Sequence, residues 1–411
     1  MSRRSVTLHT SPEGLRMVHL HVAGSAVGYC GVAVRAGSRD EDPSHHGIAH
    51  FVEHTIFKGT SRRSSWHIIN RMEAVGGELN AFTTKDETVV YSAFPAGNLA
   101  RAAELIADLV TESRFPDREL EKEREVVGDE IDSYLDTPSE AVFDDFEDLM
   151  FAGSSLGHNI LGTRTTLATF DSAACLEYLH RWYVVPNMVV FYAGSQSADR
   201  VFKTLEKEFG RCRPGDGSEA VRLSSPQLAL PFDEYKAIES HQCHTITGAR
   251  IGGMDSHDRY ATALLTNILG GPGMNSLLNV ELRERRGLVY SVDASTGIFS
   301  DCGSLAIYYG CDPHDNDRCR HLVVDTVRSV ADGYMTPRRL EVAKKQYLGQ
   351  LVISGENVEN HILSLARQYL FLNKITSRAE MEEALNNVGC HHLEVAADTL
   401  RFSTLTLGPK R

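Results

Sequence analysis

The segment GIAHFVEHTIFKGT carries His50, Glu53 and His54. On a helix, residues three and four apart sit one above another, so all three share a face. Two imidazoles one turn apart can bind a single Zn2+, and the carboxylate between them can address a water on that metal. From composition, a His-x-x-acid-His match is expected about 0.1 times in a chain of this size. A catalytic zinc takes three protein ligands and leaves its fourth position to water, so a third ligand must come from elsewhere in the chain. The segment LEKEREVVGDEIDSYL offers two candidates. Glu123 and Glu130 lie seven residues apart, two turns along one helical face, beside apolar Val126, Val127 and Ile131. Acidic residues on a helix are ordinarily solvated surface. Their register, next to an unfinished zinc site, singles these two out.

The elements needed to hold such side chains occur twice. In the first half the strand-like GYCGVAVRAGS leads to a helix around His50, a helix over 66–75 and the strand-like NAFTTKDETVVYSAF. In the second, HTITGARIGG leads to the helical ATALLTNIL, then SLLNVELRERRG, then YSVDASTGIFSDCGSLAIYYG. Both halves read strand, helix, helix, strands, which is an internal repeat at domain scale. Amphipathic helices over 99–112, 117–134, 317–332 and 337–354 follow in each half. Antiparallel-looking strands with helices grouped between them give an α+β domain repeated twice. The Pro, Gly and Ser-rich run RCRPGDGSEAVRLSSPQLALPFDEY breaks the apolar periodicity and reads as a linker. The expected division is a zinc-binding domain over 1–212, a linker over 213–235 and a repeat domain over 236–411. The stretch ATALLTNILGG has no HxxEH equivalent, so the second domain is expected to be catalytically silent.

With 411 residues, 42% of them hydrophobic, the chain has material for two domains of about 200 residues. A net charge of -13, from 42 basic and 55 acidic residues, argues against nucleic acid, which needs basic stripes to displace counterions. No apolar run approaches the roughly 20 residues of a membrane-spanning helix, and residues 1–20 lack the apolar core of a secretion signal. Eight dispersed cysteines without a CxxC pair suit a reducing compartment. A soluble, cytoplasmic protein without membrane or nucleic-acid partners is the expectation. The HQCH cluster of His241, Cys243 and His244 invites a second metal, but strand alternation puts the two histidines on opposite faces. His45 and His46 read as solvated loop, and His391 and His392 as the start of a helix.

HFVEH followed by FKGT, the run GGELNAFTTKDETVVY, the acidic EREVVGDE, and in the second half ILGGPGMNS and LRERRGLVYS occur in one order along nearly the whole chain. In these motifs the chain resembles the pitrilysin/insulinase zinc peptidases, inverzincins with an HxxEH motif, in their short, two-domain, processing-peptidase-like branch. The resemblance implies two homologous α/β-sandwich-like domains, a mostly antiparallel sheet flanked by helices in each, forming half of a clamshell. It implies one Zn2+ per chain on His50, His54 and Glu130, with Glu123 supporting the site and Glu53 as the general base of peptide-bond hydrolysis. Asn80 and Ala81 fall on an edge strand beside the zinc, which can accept an extended peptide by backbone pairing. Arg283 and Tyr290, by themselves an ordinary helix end and strand start, become contacts that orient the peptide and stabilise its oxyanion from across a closed chamber. Where many relatives carry an arginine after the MNS-like turn, this chain has Leu277 and Leu278. Unfolded peptides are the implied substrates and a homodimer is the simplest assembly. The alternatives are a non-catalytic scaffold and one subunit of a heterodimeric processing peptidase.

Overall fold

β-Branched and aromatic residues cluster in short runs along the chain, and a run whose residues point alternately to two sides needs covering on both. In the computed structural model, which describes residues 4–215 and 230–410, these runs form two sheets. The first contains β1 (Arg4–Thr10), β2 (Arg16–Val22), β3 (Val27–Val34), β4 (Glu78–Thr83), β5 (Thr88–Pro95) and β6 (Met188–Gly194), in the order β1-β2-β6-β3-β5-β4. The second contains β7 (Asp233–Ala237), β8 (Cys243–Gly252), β9 (Val289–Ile298), β10 (Cys302–Cys311) and β11 (Ser403–Gly408), in the order β7-β11-β8-β10-β9. Neighbours are antiparallel except β2 with β6 and β7 with β11. Without β1, the two sheets have the same order and the same directions, so the repeat read from the sequence is a repeat of topology.

Four helices fall where their periodicity put them, at Leu99–Glu112, Asp117–Leu135, Asn316–Ala331 and Pro337–Ser354. The run NAFTTKDETVVYSAF is a hairpin of β4 and β5. It is closed by a turn in which Thr84 N–H donates to the Glu87 carbonyl. The stretch SLLNVELRERRG contains the wide helical turn Asn279–Glu284.

The chain divides into two compact units, and neither is a single stretch. One comprises Met1–Ile131, Asn159–Leu223 and Gly355–Ile375; the other comprises Asp132–His158, Ser224–Ser354 and Thr376–Arg411. The contiguous halves 1–212 and 236–411 differ from these units by one helix each, and residues 216–229 of the expected linker lie outside the described residues. In the first unit the helix Val358–Leu372 covers one face of the sheet, packing Ile362, Leu365, Ala366, Tyr369 and Leu370 against Val18, Leu20, Val189 and Phe191. Tyr91 on β5 donates a 2.6 Å hydrogen bond to Glu359 of that helix. In the second unit the helix Pro138–Met150 plays the same part, with Val142 and Phe146 against Ile246, Tyr308 and Leu405. An amphipathic period shows that a helix has an apolar face, but not which sheet that face covers.

The opposite face of the first sheet carries the main core of that unit. There Val32, Val34, Val90 and Val190 meet Ala103, Ile106 and Leu109 of one helix and Phe51 and Val52 of another. Among the described residues, the eight cysteines form no disulfide. Among the described residues, no helix is long and apolar enough to cross a membrane.

Candidate metal centre

The HxxEH motif occupies the helix Ile48–Thr55, only eight residues long. Ile48, Ala49, Phe51 and Val52 are buried in the core, which fixes the remaining face, with His50, Glu53 and His54, toward the site. Gly47 begins the helix at φ 100°, a left-handed conformation that favours glycine. A Cβ there would lie 2.6 Å from the Leu161 carbonyl oxygen. The helix Asp117–Leu135 turns Leu120 and Val127 into the same core and Glu123 and Glu130 toward the motif, whereas Val126 is half exposed.

His50 Nε2 is 3.8 Å and His54 Nε2 is 3.5 Å from Glu130 Oε2, and the three donors all lie within 4.8 Å of one another. Ligands bound at zinc distances in a tetrahedron stand about 3.4 Å apart, so this set has the spacing and the chemistry of a zinc site. Burial, aided by the neighbouring His54, pushes the His50 imidazole down to about 3, which keeps it in the neutral form a metal requires. The two histidines differ behind the donor set. His54 Nδ1 lies 3.2 Å from Glu123 Oε1, and Glu123 Oε2 pairs with Lys58 Nζ at 2.7 Å. His50 Nδ1 is buried without a hydrogen-bond partner among the described residues. Glu123 therefore fixes the orientation of the His54 ring and is itself paired with the lysine of FKGT.

Glu53 points into the same space. Burial pushes its carboxyl above the usual range, opposed by hydrogen bonding from the Thr83 hydroxyl and backbone N–H and by His54. Thr83 ends β4, the edge strand of its sheet. The Thr84–Glu87 hydrogen bond sets the register, so Phe82 and Asn80 are the hydrogen-bonded partners of Val89 and Tyr91, while Leu79, Ala81 and Thr83 direct their main-chain groups to the open edge. Of the two expected edge-strand residues, Ala81 thus offers free main-chain groups and Asn80 spends its own within the sheet. The side chains of Leu79 and Ala81 pack on the core beside the HxxEH helix, and that of Phe82 lies on the other face.

The sequence reading passed over Thr83, Lys58 and the buried Glu41. Glu41 accepts hydrogen bonds from the Gly47 and Ala49 backbone N–H groups at 2.8 and 2.7 Å. Burial pushes its carboxyl well above the usual range, opposed by those two N–H groups and by Lys85. For Thr83, the period of two from Ala81 is the one available signal; for Glu41 there is none.

Two family models match in succession: one described as Insulinase (Peptidase family M16) over residues 16–164, and one described as Peptidase M16 inactive domain over 169–347. The chain belongs to the M16 peptidase family. An uncharacterized zinc protease of Bacillus subtilis, YmxG, is 32% identical over 89% of this chain and 87% of its own length. An uncharacterized zinc protease of Mycobacterium leprae is 32% identical over 97% of this chain and 91% of its own. The fold matches that of a crystal structure from Pseudomonas fluorescens described as a peptidase M16 inactive domain, at TM-score 0.91 and 16% identity over 99% of this chain and 98% of that one. It also matches a protease from Helicobacter pylori, at TM-score 0.90 and 19% identity over 99% and 100% of the two chains.

The second unit of this M16 chain repeats the frame without the ligands. By topology the helix Arg259–Gly270 corresponds to the HxxEH helix, and RYATALLTNILG contains no His, Cys, Asp or Glu. The helix Pro337–Ser354 corresponds to the one carrying Glu123 and Glu130. Asn267 Nδ2 donates to Gln350 Oε1 at 2.7 Å, so an uncharged amide pair links the two helices. Arg283, in the wide turn, and Tyr290, at the start of the edge strand β9, are both exposed and belong to this unit. His244 bonds to the Tyr308 hydroxyl at 3.0 Å, and His241 precedes β8 instead of alternating within it; among the described residues HQCH gathers no metal-binding group. Among the described residues one further set of such side chains occurs, Asp312, His314 and Asp315, in which the exposed His314 pairs with Asp315 at 3.1 Å.

Proposed function

We propose that this chain is a zinc metalloendopeptidase that hydrolyses unfolded peptides, with one Zn2+ on His50, His54 and Glu130. The reading is carried by one observation: two imidazole nitrogens and a carboxylate oxygen converge at tetrahedral spacing with the Glu53 carboxylate beside them. When bound, zinc would supply Lewis-acid polarisation of the scissile carbonyl and acidify a water. Glu53 accepts a proton from the attacking water as the water oxygen adds to the carbonyl carbon. It returns that proton to the leaving nitrogen as the C–N bond breaks. Thr83 holds the Glu53 carboxylate in place, and Glu123 holds His54.

The peptide pairs as an added strand with the outward main-chain groups of Leu79 and Ala81, which gives affinity with little dependence on side chains. The exposed side chains of Arg283 and Tyr290 orient the peptide and stabilise its oxyanion. In a cytoplasmic homodimer, each zinc site would be completed by Arg283 of the partner subunit and Tyr290 of the partner subunit.

The test is cleavage of an unstructured, internally quenched peptide of about 10 to 20 residues, enough to span an edge strand. Wild type should cleave it, and Glu53→Gln should lose about 10²–10⁴-fold in rate with its zinc content unchanged. Zinc-loaded wild type that cleaves no such peptide would overturn the proposal.

A further inference from the structure

The first N–H groups of a helix have no partner within it, and a Ser, Thr, Asp or Asn at the N-cap ordinarily supplies one. The HxxEH helix has Gly47 at that position, which has no side chain to offer. Glu41, six residues upstream and 9% exposed, takes over: one carboxylate oxygen accepts from Gly47 N–H at 2.8 Å and the other from Ala49 N–H at 2.7 Å. Ala49 immediately precedes the ligand His50.

The segment that carries Glu41 is also bound to the hairpin of β4 and β5. Ser38 N–H donates to the Thr84 carbonyl at 3.1 Å and Arg39 N–H to the Lys85 carbonyl at 3.0 Å. The Arg39 guanidinium pairs with Asp86 at 2.9 Å, both side chains being almost fully buried. Lys85, itself buried, is among the charges that act on Glu41. The hairpin turn held in this way follows directly on Thr83, whose hydroxyl and N–H favour the ionised form of Glu53. Glu41 therefore stands between the helix that supplies two metal ligands and the strand that supplies the partner of the general base.

We propose that Glu41 is a positioning residue that locks the HxxEH helix to the β4–β5 hairpin, and so sets both zinc affinity and the placement of Glu53. The proposal rests on the zinc-peptidase reading above. A short helix held at its first turn by a remote carboxylate keeps His50 and His54 in their relative positions only while that carboxylate is in place. Glu41→Gln preserves size and one acceptor but turns an amide NH2 toward one of the two backbone donors.

The test measures Zn2+ affinity by competition with a chromophoric chelator, melting of the zinc-free protein, and cleavage of the quenched peptide at saturating zinc. Asp171→Ala is the control: Asp171 caps another helix of the same unit, accepting from Ala174 N–H at 2.8 Å, and lies in none of the site contacts described above. Glu41→Gln should weaken Zn2+ binding at least tenfold and lower kcat at least fivefold, with KM within twofold. Glu41→Asp, which keeps the charge at shorter reach, should recover part of both. Asp171→Ala should lower the melting temperature while leaving zinc affinity within twofold. Glu41→Gln that binds zinc like wild type would overturn the proposal alone, and if that variant does not fold, wild-type affinity in Glu41→Asp does the same. A wild type that binds no zinc overturns both this proposal and the peptidase reading.

Discussion

Glu123 stands 3.2 Å from the Nδ1 of His54, on the side of the ring away from Glu130. That nitrogen is the atom through which an outer carboxylate orients a ligating imidazole, and loss of such a partner typically costs 10- to 100-fold in metal affinity or activity. Glu123→Ala should therefore weaken zinc binding by about that factor. It also leaves Lys58 without its carboxylate partner beside the site, so Lys58→Met combined with Glu123→Ala should recover part of the loss. Chelator competition on the three proteins decides it; unchanged zinc affinity in Glu123→Ala would remove Glu123 from the site's support.

Zinc should bind once per chain and stabilise the fold. A ligand at 100 times its dissociation constant raises stability by about 2.7 kcal/mol. Wild type should melt at a distinctly higher temperature with zinc than after treatment with EDTA, and Glu130→Ala should show no such difference. Two zinc ions per chain by elemental analysis would contradict the silent second unit, whose amide pair Asn267–Gln350 offers no anionic ligand.

Thr83→Val keeps the β-branched shape of an edge-strand residue and removes the hydroxyl that favours the ionised form of Glu53. A hydrogen bond to a charged group is worth about 1.5–3 kcal/mol, so kcat should fall by roughly tenfold or more. The zinc content and KM should stay near wild type, since neither a ligand nor the outward groups of Ala81 are altered. A rise in KM with kcat intact would place Thr83 in peptide binding instead.

The two halves should not survive separation at the 213–235 segment. Residues 1–215 alone lack the helix Val358–Leu372, leaving the sheet face of Val18, Leu20, Val189 and Phe191 uncovered. Burying one large apolar side chain is worth about 1.5–3 kcal/mol, so losing several approaches the 5–15 kcal/mol that holds a whole domain together. The isolated fragment should aggregate or lack a cooperative melt, and fusing residues 355–375 to it should improve both. A well-folded 1–215 fragment would show that the helix is dispensable.

Acid should destabilise the protein through histidines remote from the metal. Burial lowers the pKa values of His19, His244 and His361, which all prefer to be neutral in the folded state. Their unfolded forms titrate near 6.5, so between the depressed folded value and 6.5 the unfolded chain binds more protons. Stability from these groups is complete above about pH 6.5 and is lost as pH falls below it. The melting temperature of zinc-free protein should drop between pH 7 and 5, and less steeply in His244→Gln.

Much of this was legible in the residues themselves. The positions of His50, Glu53 and His54 at i, i+3 and i+4 determine that they share a helical face, because helix geometry is local. The seven-residue spacing of Glu123 and Glu130 likewise put both on one side of a helix, and the order of strands and helices revealed the repeat. Periodicity also placed the ends of helices such as Leu99–Glu112, whose apolar face is unambiguous.

Tertiary structure decided what depends on contacts between distant residues. Which of the two glutamates faces the Nε2 atoms and which faces Nδ1 follows from the docking of two helices that the core brings together, not from either helix alone. That Ala81 presents free main-chain groups and Asn80 does not follows from the register set by the Thr84–Glu87 turn. The exchange of the helices at Pro138–Met150 and Val358–Leu372 follows from two sheets each needing a second cover, and amphipathicity is silent on partners. Sequence determines faces and spacings; three-dimensional packing determines which faces meet.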